Sequence, residues 1–236
     1  MIKLFRRLRQ NLLSEGKTGR YFKYAIGEIL LVVIGILIAI QINDWKQQQT
    51  ERELEKKYLK NLVAELQQDA LGLTITLQQL KNQARTKNAL LDMVRNNKAG
   101  DSIITYFDYQ WRPIQPYIPL KSTYVEMTTN SDLQVIQDDF VREKIIKLYN
   151  AYESLEKEED FTFGTATNNL LTLLSEGMPN MAHYSAENIL ALKDNHNLLN
   201  AIQLNGAYSR RDNYVEIIEE CNALIQEIES YRQSLE

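Results

Sequence analysis

Two histidines, one cysteine, four prolines and nine glycines in 236 residues remove several chemistries at once. The single Cys221 cannot close an internal disulfide, so no disulfide framework holds the fold in any redox compartment. His183 and His196 stand apart in sequence, with no acidic or cysteine partner at ligand spacing, which gives no metal-site pattern. No G-x-S-x-G, no phosphate-binding glycine loop and no Cys/His nucleophile pair occurs. Paired carboxylates abound in any acidic helical chain and select nothing. The expectation is a protein that is not an enzyme and carries no metal or other cofactor. So few glycines and prolines over this length favour helices over a strand-and-turn architecture.

What is present is one long apolar run. Residues 29–40 are all apolar or glycine, and their neighbours extend the run to about eighteen positions, roughly 27 Å as a helix. That length just crosses the hydrocarbon core of a bilayer. Before it stand Lys3, Arg6, Arg7, Arg9, Lys17, Arg20 and Lys23 against Glu15 alone, a balance of +6. The whole chain is −4, which leaves −10 for residues 24–236. A short basic flank stays inside and the acidic remainder is exported. Tyr21, Phe22, Tyr24 and Trp45 fit the two interfacial aromatic belts. No A-x-A cleavage site follows, so the run is expected to be an uncleaved signal anchor. Residues 1–23 are then cytoplasmic, 24–43 a transmembrane helix, and 44–236 a periplasmic helical bundle of the bacterial inner membrane.

Glu28, Gly35 and Ala39 share one helix face. Gly35 and Ala39 make a small-xxx-small pair that lets two helices approach closely in lipid. An acid inside a span is a functional candidate, as an ion carrier. An interfacial acid answering Lys23, Arg20 or lipid head groups accounts for Glu28 as well. Ahead of the span, Ile2, Phe5, Leu8, Leu12 and Leu13 recur at helical spacing, with Lys3, Arg6, Arg7 and Arg9 opposite them. Such a helix lies on an anionic leaflet; nucleic-acid binding is the weaker use, since binding aromatics are not interleaved.

After Trp45, Leu59, Leu66, Leu73 and Leu80 repeat every seven residues, with Tyr58, Leu62, Leu77, Ala84, Leu91 and Val94 beside them. The pattern predicts a long helix packing lengthwise on others, up to about 80 Å over residues 44–97, with Gly72 and Thr74-Ile-Thr76 as places for a bend. Asparagines and Gly100 end it. Residues 101–121 are expected to be a loop, with Pro113, Pro116 and Pro119 at the polyproline II period among many rings. Tyr109, Trp111, Pro113, Pro116, Tyr117 and Pro119 are candidates for docking a partner or glycan, unless the rings only pin the loop to its own bundle. Asp138 or Asp139 caps the next helix, with Phe140, Ile145, Leu148, Tyr149, Tyr152 and Leu155 inward and an extent to about residue 176. A solvated face explains its acidic run, residues 153–160. A last helical region covers residues 185–235, with Leu198, Ile202, Tyr208, Val215, Ile218, Ile225 and Ile228 buried and Cys221 a core thiol.

Two stretches carry a resemblance. Gly19-Arg-Tyr-Phe-Lys-Tyr-Ala-Ile-Gly-Glu28 and its continuation to Trp45 closely resemble the opening of a domain-of-unknown-function family of small single-pass membrane proteins common in Bacteroidota. Ser122-Thr-Tyr-Val-Glu-Met-Thr-Thr-Asn-Ser-Asp-Leu-Gln-Val-Ile136, leading to Leu148-Tyr-Asn-Ala-Tyr152, is similar to a second stretch of that family, which usually carries a glycine near Asp132; this chain has none there. The resemblance covers about a quarter of the chain. It implies an inner-membrane protein with a periplasmic helical domain, and no activity.

The expected fold is all-α: one N-terminal transmembrane helix continuing into a long-helix periplasmic bundle. The expected role is a scaffold or interaction protein, with the lipid bilayer, a second copy or another envelope protein as partner, and no nucleic acid. An ion-coupled, stator-like subunit using Glu28 is the first alternative. A ligand sensor that signals through a partner is the second.

Overall fold

Steps of four and three alternate along one side of the long N-terminal helix. A computed structural model describes residues 18–112, 114–162, 164, 168–204 and 208–235, and the side chains of all of these except 18–21, 24, 208 and 209. The helices in chain order are α1 (Thr18–Arg95), α2 (Ile103–Trp111), α3 (Ser122–Thr129), α4 (Asp139–Phe161), α5 (Asn168–Gly177), α6 (Ala186–Leu190), α7 (His196–Leu204) and α8 (Tyr208–Ser234). Short 3₁₀ turns follow α3 (Asp132–Val135) and α6 (Ala191–Asp194). No strand occurs among the described residues, and the protein is all-α. The chain divides into two units, Met1–Leu54 and Glu55–Glu236.

In the first unit, residues 29–40 of α1 are exposed at every position. Leaving an aliphatic side chain in water forfeits about 1.5–3 kcal/mol each. This stretch is a candidate membrane span, long and apolar enough to cross a bilayer and covered by nothing in its own chain among the described residues.

In the second unit, Glu55, Leu59, Leu62, Leu66, Asp69, Leu73, Thr76, Leu80, Gln83 and Lys87 of α1 are all buried. The same alternation recurs in α4 at Val141, Ile145, Leu148, Tyr152, Leu155 and Glu159, and in α8 at Tyr214, Ile217, Cys221, Leu224 and Ile228. Hydrogen bonds fix how the three run. Glu55 accepts from Gln137 N and from the Tyr231 hydroxyl, whereas Asp69, fourteen residues on, accepts from Tyr152 beside Cys221. So α4 is parallel to α1 and α8 is antiparallel to both. Lys147 pairs with Glu220 at 2.6 Å, Lys144 with Glu227 and Glu159 with Arg210 across the α4–α8 contact.

Two parallel helices need a crossover, and residues 96–138 supply it. The last turn of α1 closes with Asn97 left-handed (φ 52°), Lys98 N donating to Met93 O and Asn97 N to Val94 O. Then α2 packs back on α1: Gln110 Nε2 donates to Gln83 O and Thr86 Oγ1, and Gln83 Nε2 to Tyr109 O. A strap without regular secondary structure, residues 114–120, runs along α1, followed by α3 and the 3₁₀ turn. At the other end, α2, α5, α6, α7 and the tip of α1 share a core around Leu90, Val94, Phe107, Leu174, Ile189 and Leu198.

Several expectations are corrected. The first half of 101–121 is helical, because residues 103–111 contain no proline or glycine; only Arg112, which precedes Pro113, is forced extended (ψ 122°). Phe140 is 59% exposed and Val141 takes its place, since Asp138 caps the Val141 amide and sets the register. Over the stretch expected to be helical to about residue 176, α4 runs to Phe161 and α5 from Asn168 to Gly177, with Thr162 and Gly164 in π-helical conformation between them. The last helical region, residues 185–235, is helical as expected and consists of three helices and a 3₁₀ turn among the described residues. On α8, Tyr214, Ile217 and Leu224 are buried while Val215, Ile218 and Ile225 flank them half-exposed; the more apolar series lost to the one whose Tyr and Cys find polar partners. The side chain of Tyr208 lies outside the described residues. Gly72 seats a ring, that of Tyr117.

Candidate functional site

A segment outside helices and strands must satisfy its backbone some other way. The strap does so with side chains of α1 and α8. Arg210 Nη2 donates to Ile114 O at 3.2 Å, Tyr117 N donates to the Tyr214 hydroxyl at 3.3 Å, and Leu120 N donates to Asp69 Oδ1 at 2.9 Å. Just beyond, Thr123 N and its hydroxyl donate to Glu65, Lys57 meets Glu126, and the Tyr58 hydroxyl donates to Asp132 at 2.6 Å. Glu55, Glu65 and Asp69 therefore act as acceptors along one helix for the backbone of the crossover.

Tyr117 is the pin. Its ring lies over Gly72, where an added Cβ would be 2.0 Å from Cε2, and its hydroxyl donates to Asp69 Oδ1 at 3.0 Å.

Asp69 is fully buried and its three donors are neutral: Leu120 N, the Tyr117 hydroxyl and, on Oδ2, the Tyr152 hydroxyl at 3.0 Å. Burial raises its pKa above the ordinary 3.8, and the three hydrogen bonds oppose that rise without cancelling it. Tyr152 also lies 2.9 Å from Cys221 Sγ. Burial pushes the thiol up to about 12 against the opposing bond from Tyr152, and raises Tyr152 as well. Burial, with Asp69 second, lifts Tyr117 to about 12. The thiol therefore stays protonated and unreactive. Nearby, Glu159 is 2% exposed and takes Arg210 in two bonds, one of them 2.6 Å from Nε, so its charge is matched.

The predicted docking residues part company on this scaffold. Pro119 is buried, and Pro116 and Tyr117 are half-buried in the strap. Trp111 is half-buried, its indole donating to the Tyr184 hydroxyl at 3.0 Å while Tyr184 also meets Asp108. Tyr109 is 42% and Ile118 75% exposed. A groove of about 530 Å³ lies beside the strap, lined by Gln79, Thr105, Asp108, Tyr109, Arg112 and Ile114 among others. Pro113 lies outside the described residues, as do Lys3, Arg6, Arg7 and Arg9. In the other unit Glu28 is half-buried and engaged in a polar interaction, Ala39 is exposed, and a Cβ on Gly35 would meet nothing within 4 Å. Among the described residues no cluster of His, Cys, Asp or Glu has the geometry to hold a metal ion.

Asp69, Glu55 and Gln83 were not singled out in advance, and Thr76 was named only as a place for a bend. The available signal was the heptad itself: these four stand at multiples of seven from one another, one step from the leucine row, where a polar side chain must be buried.

A family model described as a family of unknown function (DUF6090) matches residues 28–158, more than half of the chain. That range takes in most of the candidate span, the crossover with its strap, and nearly all of α4. No curated protein and no solved structure matches.

Proposed function

The chain belongs to this family of unknown function, DUF6090, and from that premise we propose that it is a membrane-anchored helical scaffold that works by protein–protein contact and not by catalysis. The observation that carries this reading is the bare apolar stretch of α1, exposed throughout residues 29–40. By the charge balance on its two flanks, the N-terminus is cytoplasmic and the acidic helical domain periplasmic, in a bacterial inner membrane. Copies associate through the face of Gly35 and Ala39, where backbones approach closely. The strap region supports a role in contact: its backbone is held at three points, which keeps Ile118 presented at the surface without the ordering loss of a free loop.

The test is the particle mass of the full-length protein in mild detergent, beside a Gly35→Leu, Ala39→Leu double variant. Both positions face open space in the chain itself, so the substitutions leave the monomer's own packing untouched. A defined oligomer in the wild type that falls apart in the variant is the expected result. A wild-type monomer, or equal masses for the two, would sink association through the span.

A further inference from the structure

The carboxylate of Asp69 has two unequal oxygens. Oδ1 takes both strap donors, Tyr117 and Leu120, and the Leu120 amide hydrogen cannot turn away. Oδ2 takes only the Tyr152 hydroxyl, whose hydrogen rotates freely and has a second acceptor, Cys221 Sγ, at 2.9 Å. The titratable groups around Asp69 are Glu65 on its own helix, Tyr117 on the strap, Tyr149 and Tyr152 on α4, and Cys221 on α8, with Tyr214 reached through the Tyr117 amide. The three groups that bond Asp69 all do so as neutral donors.

We propose that the folded domain takes up one proton on Asp69 Oδ2, and that the hydrogens of Tyr152 and Cys221 turn over to receive it, leaving both strap bonds to Oδ1 in place. With the carboxylate ionised, the Cys221 thiol donates to Tyr152 and Tyr152 donates to Oδ2. Once a proton arrives from water, Oδ2–H donates to Tyr152 and Tyr152 donates to Cys221 Sγ. No heavy-atom bond is made or broken and nothing is oxidised. Protonating Oδ1 instead would set its hydrogen against the Leu120 N–H and release the strap. Burial among neutral donors raises the pKa of Asp69, so uptake here begins at a higher pH than on an exposed carboxyl. The consequence is a strap that stays seated when Asp69 is protonated.

The chain has one cysteine, so the S–H stretching band in Raman spectra of the full-length protein in detergent belongs to Cys221 alone. As pH is lowered from neutral, the band is expected to move from the position of a donating thiol to that of a non-donating one, while hydrogen exchange keeps the Leu120 amide protected. In Asp69→Asn the side-chain amide mimics the protonated acid and donates to Tyr152, so the band should sit at the acid position at every pH. In Tyr152→Phe the thiol is uncoupled and its band should not respond to pH. A wild-type band that never moves overturns the proposal, even if the asparagine variant fails to fold. So does loss of Leu120 protection in step with the band, or an unchanged titration in Tyr152→Phe.

Discussion

Gly72 meets the Tyr117 ring so closely that its missing side chain is what admits the strap. A methyl group at position 72 must displace a ring that is also bonded to Asp69. Gly72→Ala is therefore expected to destabilise the domain by about 1–3 kcal/mol, the range for overpacking a close contact. In a Tyr117→Ala background the same substitution should reverse sign and stabilise by about 0.5–1 kcal/mol, because alanine is then simply the better helix former. Denaturant unfolding of the four chains in one detergent reads both values, and a cost that persists without the ring would show the clash to lie elsewhere. From sequence alone Gly72 suggested a bend, since a glycine within a helical pattern signals weakness and says nothing of a ring forty-five residues away. Glu159 and Arg210 illustrate the same limit. The acidic run around Glu159 was legible as a solvated face, and most of it is. That one glutamate turns inward to a matched guanidinium depends on α8 arriving antiparallel. Changing Glu159 to Gln leaves the Arg210 charge half-matched and is expected to cost about 3–5 kcal/mol by the same unfolding measurement. A change near zero would mean that water reaches the pair.

At the scale of elements, the helices with the strongest periodicity were the most legible. The leucine row of α1, the Asp138 cap and the asparagine stop of α1 follow from spacing and chemistry within a few residues. The strap does not, because its partners are remote: Leu120 N reaches Asp69 across 51 positions and Gln137 N reaches Glu55 across 82. Nothing local marks which acid on a helix will accept a distant amide. The turn before the 3₁₀ segment lies between these cases. In this chain Ser131 adopts a left-handed conformation of the kind glycine takes most readily (φ 62°, ψ 28°). A non-glycine residue there is strained by about 1–2 kcal/mol. Ser131→Gly should recover part of that, raising the thermal midpoint by about 2–4 °C per kcal/mol regained in a domain of this size. An unchanged or lowered midpoint would show that the serine hydroxyl compensates the strain.

For the molecule as a whole, acid is the informative perturbation, and Asp69 acts against the usual trend. Most paired or capping carboxylates lend stability that is lost as pH falls. Asp69 carries a folded pKa above its unfolded value of 3.8, since burial outweighs its three donors. Between the two values the folded chain binds more protons at this site than the unfolded chain does. The contribution of Asp69 is thus most favourable below pH 3.8, declines as pH rises through that window, and levels off above the folded value. Comparing wild type with Asp69→Asn reads the contribution of this one carboxyl. The asparagine chain should gain on the wild type as pH rises through the window and hold a constant difference above it. Unfolding free energies measured at a series of pH values give that difference directly. A difference that shrinks as pH rises would mean the carboxylate is favoured by the fold, with its donors outweighing its burial. The domain would then rely on the Asp69 charge, and acid would loosen the strap that Oδ1 holds.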